Sequence, residues 1–194
     1  MPKVPTFNPE LGEYEKKVTK RQIEYRGPEL VHTTLLHQQF GLLALSGGLL
    51  SPEHFEMIRR YTNRHMNAKR FAIWRVEEPW LPRTKRRSGS RRGPEKGSIH
   101  HYATPVRAGR IIMEVGGLIN DVEAQAFLPV IASQLPFDAI MVTQADMEAR
   151  VAEEERIERE NINPYTWDFV LRWNMQNCSS WLTKYDYIFR GKYK

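Results

Sequence analysis

Arg83-Thr84-Lys85-Arg86-Arg87-Ser88-Gly89-Ser90-Arg91-Arg92-Gly93-Pro94-Glu95-Lys96-Gly97-Ser98 leads directly into Ile99-His100-His101-Tyr102-Ala103-Thr104-Pro105-Val106 and on to Gly117. The two halves obey different rules. In the first, seven cations stand against one acid, Glu95, and no large apolar side chain lies between Lys85 and Ser98. Such a segment has nothing to bury. Gly89, Gly93 and Gly97 recur every fourth residue, and Pro94 lacks a backbone donor and resists helix. The expectation is an extended, strongly positive loop. In the second half, His101–Val106 and Arg110–Val115 read as two strands joined by a turn at Arg107-Ala108-Gly109, a hairpin closed by Gly116-Gly117. Pro105 assigns the first strand to a sheet edge or a bulge. A charged loop at the neck of a hairpin suits an anionic partner that orders it.

Outside this stretch the 194-residue chain is nearly neutral, because residues 83–96 carry the whole formal net charge of +6. Charge concentrated in one segment points to a polyanion site more strongly than a basic surface spread over the protein. The apolar content of 41%, with 11% aromatics, is that of a folded protein with one core and length left over for tails. Cys178 is the only cysteine, which excludes an internal disulfide and a cysteine-based zinc site. No apolar run reaches the roughly 18 residues needed to span a bilayer, so no membrane partner is expected. The first 30 residues hold no apolar signal core. For an organelle-imported protein, the presequence is absent from this chain.

Residues 1–37 mix charges with Pro2, Pro5, Pro9 and Pro28 and are expected to be an extended arm lying on a partner. Phe40-Gly41-Leu42-Leu43-Ala44-Leu45 reads as a buried strand ending in a tight turn at Ser46-Gly47-Gly48. Ser51-Pro52-Glu53-His54 opens a helix to about His65, with Ser as N-cap, Pro in the first turn and an acid beside it. Phe55, Ile58 and Thr62 form its apolar face, with Met66 a turn further on. Arg59, Arg60 and Arg64 form a basic face available to nucleic-acid backbone. Arg70–Val76 alternates as a strand that ends before Pro79 and Pro82.

Asp121 is expected to cap a second helix running to Leu135, with Val122, Ala126, Phe127, Val130, Ile131 and Leu135 as its apolar stripe and Pro136 as its stop. Asp138–Thr143 is a last strand. This order predicts an α+β domain over residues 38–143: two helices packed on one face of a mainly antiparallel sheet, with a long basic loop. Between Gln144 and Glu160 seven acids face three arginines at sparse apolar spacing, which predicts an exposed acidic helix. Beyond Asn163-Pro164 come Trp167, Trp173, Trp181, Tyr185, Tyr187 and Phe189, too many aromatics to stay in water. Residues 144–194 therefore read as a helical C-terminal extension that docks on another protein.

No motif assembles a catalyst. Reading from Gly89, the second Gly of a P-loop would fall on Pro94 and its Lys on Glu95. His100-His101 offers two metal ligands, but neighbours on a regular strand point to opposite faces and no third ligand stands at a fitting spacing. Ser46-Gly47-Gly48 lacks the setting of a nucleophile elbow, and Cys178 has no adjacent base. The expectation is a non-enzyme with no cofactor, no metal and no small-molecule substrate.

Ser90-Arg91-Arg92-Gly93-Pro94-Glu95-Lys96-Gly97-Ser98-Ile99, followed by Tyr102, Pro105-Val106, Gly109-Arg110 and Glu114-Val115-Gly116-Gly117, resembles the universal large-subunit ribosomal protein 16 family. Arg91, Gly93, Lys96 and Gly97 match its loop motif, whereas Arg92 stands where the family has Met, and Pro94 and Glu95 replace Lys or Gly. Gln134-Leu135-Pro136 is similar to the family's helix end. Phe71–Val76, His54–Met57 and the acidic tail with Asn163-Pro164 look like the mitochondrial branch. The resemblance implies a structural constituent of the large mitochondrial ribosomal subunit in the matrix. On that footing Arg83, Lys85, Arg86, Arg87, Arg91, Arg92, Gly93, Lys96 and Gly97, with Arg59, Arg60 and Arg64, are the expected rRNA contacts. It also implies a position near the aminoacyl-site tRNA, support of tRNA placement in translation, and neighbouring ribosomal proteins as partners of 144–194. An extraribosomal RNA-binding or ribosome-maturation factor using the same loop is the alternative.

Overall fold

Phe40–Ala44 forms a strand buried on both faces, which is why it reads as a continuous apolar run and not as an alternation. The computed structural model describes residues 1–4, 22–86, 89 and 97–193. Its elements are β1 (Phe40–Ala44), β2 (Gly48–Leu50), α1 (Pro52–His65), β3 (Arg70–Trp74), β4 (Leu81–Thr84), β5 (Ile99–Val106), β6 (Ile111–Gly117), α2 (Asp121–Ser133), β7 (Ala139–Thr143), α3 (Gln144–Glu160), α4 (Trp167–Arg172) and α5 (Lys184–Phe189). Short 3-10 turns lie at Gln22–Glu24 and Met175–Ser180. The strands pair antiparallel in two sheets, ordered β3-β6-β1-β7 and β2-β5-β4.

The α+β class holds, but the single sheet with two helices on one face is corrected to two sheets and, among the described residues, five α-helices. The expected hairpin is also corrected. β5 and β6 follow one another through the turn at 107–110 and then enter different sheets. The turn's own backbone explains this. Gly109 N–H donates to the Ala44 carbonyl at 2.7 Å, Ala44 N–H to Arg110 at 2.9 Å, and Glu29 N–H to Ala108 at 2.8 Å. The reversal is thus stitched to the end of β1 and to the N-terminal segment, which makes it a corner between sheets. Gly109 takes φ +89° there, a conformation open to glycine without strain. Pro105 sits where β5 has β2 alone beside it, because β4 pairs only with residues 99–103. Its missing donor is thereby tolerated, as expected for a local edge.

The tight turn expected at 46–48 instead leads into β2, and Pro82, expected to lie beyond a strand, lies within β4. A bulge in β6 opposite Leu42/Leu43 lets Ile112 and Met113 both enter the main core while Ile111 faces the other side. The main core joins Leu42, Ala44, Met113 and Val115 to Phe55 and Ile58 of α1 and Phe127, Leu128 and Ile131 of α2. The opposite face of the larger sheet carries Leu43, Ile111 and Val142, covered by Leu35 and by Met147 of α3.

α1 is as read: Phe55, Ile58 and Thr62 are buried, and Ser51 N–H donates to His54 Nδ1 at 3.0 Å at its start. α2 differs in two respects. Its N-cap is Asn120, whose N–H donates to Glu123 at 3.0 Å, and its buried residues are Ala124, Phe127, Leu128, Ile131 and Ala132. Val122, Ala126 and Val130 face solvent. The segment is apolar nearly all round, so spacing alone could not select the face. Phe127→Ala should cost about 3–5 kcal/mol in a denaturant melt, and Val122→Ala, at a side chain 78% exposed, should change stability by less than about 0.5 kcal/mol.

The described parts of residues 1–37 lie on the chain's own domain. The Met1 ammonium donates to Asn63 at 2.8 Å, Trp74 Nε1 donates to the Pro2 carbonyl at 3.0 Å, and Leu35 is buried. α3 is an exposed helix with no buried residue of its own, as its composition predicts. The aromatic extension is divided. Arg26 lies 5.8 Å from the Tyr185 ring centroid, and Trp167, Trp181 and Leu182 line a cleft with Tyr25, Arg26 and Gly47. Trp173 and Trp181 nevertheless stay 68% and 67% exposed. Cys178 is buried within this extension, in keeping with an inert thiol.

Candidate nucleic-acid interface

The basic loop leaves from the end of β4 and returns at the start of β5. Pairing places Arg83 opposite His101 and Thr84 opposite Ile99, so β5 carries one extra residue, His100, as a bulge. Lys85 N–H donates to the Ser98 carbonyl at 3.2 Å and closes the neck. A Cβ on Gly97 would come within 2.7 Å of the Lys85 carbonyl oxygen, so glycine at 97 is what lets the two legs pass. This gives Gly97 a role inside the chain as well as in the loop motif. Lys85 and Arg86 are exposed beyond the neck. Arg87, Arg91, Arg92, Gly93 and Lys96 lie outside the described residues.

The bulge also corrects the reading of His100-His101. The two rings do not diverge: their Nδ1 atoms stand 3.0 Å apart with ring planes at 89°. Among the described residues, no group of three or more His, Cys, Asp or Glu side chains is placed to hold a metal. Burial holds the His101 imidazole below the ordinary pKa of 6.5, helped by His100, Arg83 and Lys85 and opposed by Glu53 of α1. Burial lowers His54 in the same way, again against Glu53. The first turn of α1 therefore adjoins the neck of the loop.

Both imidazoles bind a proton more readily in the unfolded chain. Their contribution to stability is fully present above the unfolded value of 6.5 and is lost as pH falls from there through the lower folded values. Tm should decline as pH is lowered from about 7.5 to about 5.5, and His101→Gln should flatten that decline in thermal melts.

The basic face of α1 is unevenly free. Arg59 is held by Glu56 at 2.9 Å, Arg60 stands 3.9 Å from the same carboxylate, and the exposed Arg64 guanidinium lies 5.5 Å from the Tyr61 ring centroid. The hydrogen bond from Arg59, with the charges of Arg59, Lys3 and Arg60, holds the Glu56 carboxyl below its ordinary range. Lys3 joins this face through the docking of residues 1–4, a neighbour that no local pattern announces. The predicted cations thus form two groups: Arg83 and Lys85 beside His101 at the neck, and Arg59, Arg60 and Arg64 with Lys3 along α1.

Sequence reading passed over a buried ionic cluster that supports the scaffold. Glu114, 1% exposed, pairs with Arg75 at 3.0 Å and accepts the backbone N–H groups of Leu36 and His37 at 3.0 and 3.1 Å. Arg110 lies 3.6 Å from Glu29 and donates to the Arg75 carbonyl at 3.3 Å. An acid and two arginines at strand spacing were the available signal, but their ordinary reading is solvent-facing charge.

A bulged strand pair from which a concentrated cationic segment leaves, on an α+β scaffold whose buried Glu114 is tied into the structure, defines a protein that presents positive charge to its surroundings. Residues 14–142 match the family model for Ribosomal protein L16p/L10e, and the chain belongs to that family. The match begins inside the N-terminal segment and ends in β7, leaving α3 and the aromatic extension outside it. The family is one of ribosomal proteins, not of catalysts, and the chain is accordingly not an enzyme.

Proposed function

We propose that this protein is a structural constituent of the large subunit of the mitochondrial ribosome, that it binds rRNA through the basic loop 83–98 near the aminoacyl-tRNA site, and that it supports tRNA positioning. The observation that carries this reading is the placement of the chain's entire excess charge, +6, in residues 83–96 of a ribosomal-protein domain. Phosphate oxygens suit arginine forks, and a glycine-jointed loop orders on a folded polyanion at an entropic cost met by those contacts. Arg60 and Arg64 on α1 extend the contact. The mitochondrial placement is supported by the resemblance of Phe71–Val76, His54–Met57 and the acidic tail. Residues 144–194 meet neighbouring ribosomal proteins through the exposed Trp173 and Trp181.

The test is binding of the isolated protein to large-subunit rRNA at several salt concentrations. With four to seven cations engaged, log affinity should fall with a slope of about −3 to −6 per decade of salt. A slope near zero would remove phosphate contact as the basis of binding. In mitochondrial lysate the protein should sediment with large subunits at one copy each and stay with them in moderate salt. Release at moderate salt would favour a maturation factor.

A further inference from the structure

We propose that the outer edge of β7 is a docking site for an extended, lysine- or arginine-rich segment of a neighbouring protein, which adds to the larger sheet as a further strand beside α3. This deepens the reading that residues 144–194 meet neighbouring proteins and is independent of the rRNA contact through residues 83–98.

β7 stands at one end of the order β3-β6-β1-β7, and among the described residues no strand pairs with its outer side. The phase of the ladder decides which groups that side presents. Ala44 turns its N–H and carbonyl away from β7, to Arg110 and Gly109, whereas Leu45 N–H donates to the Asp138 carbonyl at 2.8 Å. Bonded and non-bonded pairs alternate in an antiparallel ladder. Leu43–Ile140 and Gly41–Val142 therefore exchange hydrogen bonds, while Ala44–Ala139 and Leu42–Met141 do not. Ala139 and Met141 direct their backbone N–H and carbonyl groups outward. Thr143 is engaged elsewhere, its N–H donating to Asp146 at 3.0 Å. Open edges are ordinarily blunted by a charge, a proline or a bulge. Ala139-Ile140-Met141-Val142-Thr143 has no charged residue and no proline, and it pairs with β1 in unbroken register. Such an edge is a template for strand addition.

The other wall of the site is α3. Ile140 lies near the start of β7 and Glu153 and Glu154 in the third turn of α3, yet they line one groove, so the helix folds back along the strand. At about 3.6 residues per turn, Asp146, Arg150, Glu153 and Glu154 share one helix face, with Ile157 near its middle. Ile157 is 57% exposed. The face carries three carboxylates and one guanidinium, in a helix whose seven acids and three arginines leave it strongly negative. That charge selects the occupant. RNA is repelled. So is a second copy pairing β7 to β7, which would set two acidic helices side by side on one face of the joined sheet. A protein segment with Lys or Arg at alternate positions meets both walls at once. Its backbone bonds to Ala139 and Met141, its cations reach the carboxylates of α3, and their aliphatic stems cover Ile157.

The probe is a fluorescent peptide of about nine residues alternating Lys and Val, long enough to span β7, titrated with the full chain and followed by anisotropy. Hydrogen exchange locates it. In the free protein the amides of Ile140 and Val142 should exchange slowly and those of Ala139 and Met141 fast, and the peptide should slow the second pair. Changing Glu153→Lys together with Glu154→Lys should weaken binding at least about tenfold, and a Glu-Val peptide should bind that variant in its place. Ala139→Pro removes an outward donor at the first residue of β7 and leaves the β1 ladder whole, so it should weaken binding at least about threefold. Thermal melts verify that the variants fold. A wild type that does not bind the peptide, or binding that leaves Ala139 and Met141 unprotected, overturns the docking edge. Equal binding of the fully N-methylated peptide also overturns it, by reducing α3 to a charged patch. Dimerisation of the free chain that the peptide reverses would overturn it too, by making a second copy the occupant. The rRNA reading survives each of these results and falls only if the wild type binds rRNA without salt dependence.

Discussion

Replacing Arg86, Arg87, Arg91 and Arg92 by Glu is expected to keep the protein out of the ribosomal large subunit while leaving its fold intact. Four cations lost and four anions gained take residues 83–96 from +6 to −2, so attraction to a polyanion becomes repulsion. If each arginine contributes only about 1 kcal/mol of charge-assisted phosphate contact, the four together are worth about a thousandfold in affinity before repulsion is counted. Stability should be spared because the stretch from Lys85 to Ser98 offers no large apolar side chain to bury. Sedimentation of the tagged variant reads the first effect and a thermal melt the second. Normal assembly at physiological salt would show that the loop is not the RNA anchor.

The largest loss of stability is expected from Glu114→Ala. The carboxylate is buried in the middle of the four-stranded sheet, where it pairs with Arg75 of the segment after β3 and receives the backbone of Leu36 and His37. Its removal leaves the Arg75 guanidinium buried without its counter-charge and two N–H groups without an acceptor. Breaking one side of a buried pair costs about 3–5 kcal/mol, and for a protein of this size that lowers Tm by on the order of 10 °C. Glu114→Gln keeps the shape and an acceptor oxygen and should recover part of the loss. A melt of Glu114→Ala within a degree or two of wild type would mean that the cluster contributes shape and little energy.

Local elements were legible because their causes are local. Ser51, Pro52 and Glu53 mark the start of α1 through groups within one turn, and Phe55, Ile58 and Thr62 recur at the helical period. β7 and the acidic α3 follow equally from composition and spacing. α2 was found and its face half read: Phe127 and Ile131 are buried as expected, but Val122, Ala126 and Val130, just as apolar, face solvent. The cations at the neck were identifiable as charge. The pairing of His100 with His101 was not, because a bulge depends on the partner strand's register and leaves no mark in either strand alone. Lys3 beside Glu56 and Leu36 against Glu114 join residues far apart in the chain, and no period connects them.

By itself the sequence determined where most of the helices and strands lie, though not β2 or β4, that the excess charge is confined to one glycine-jointed segment, and that no metal-binding or nucleophilic motif accompanies it. Those properties depend on backbone propensity, spacing and formal charge within a few residues. Only the tertiary structure decided that β5 and β6 part into separate sheets, that the N-terminal segment covers the larger sheet, and that Glu114 is its buried acid. Strands are joined by backbone hydrogen bonds common to every residue, so a reversal such as 107–110 serves a hairpin or a corner equally well. Ala44 and Glu29, bonding to that reversal from elsewhere in the chain, made it a corner.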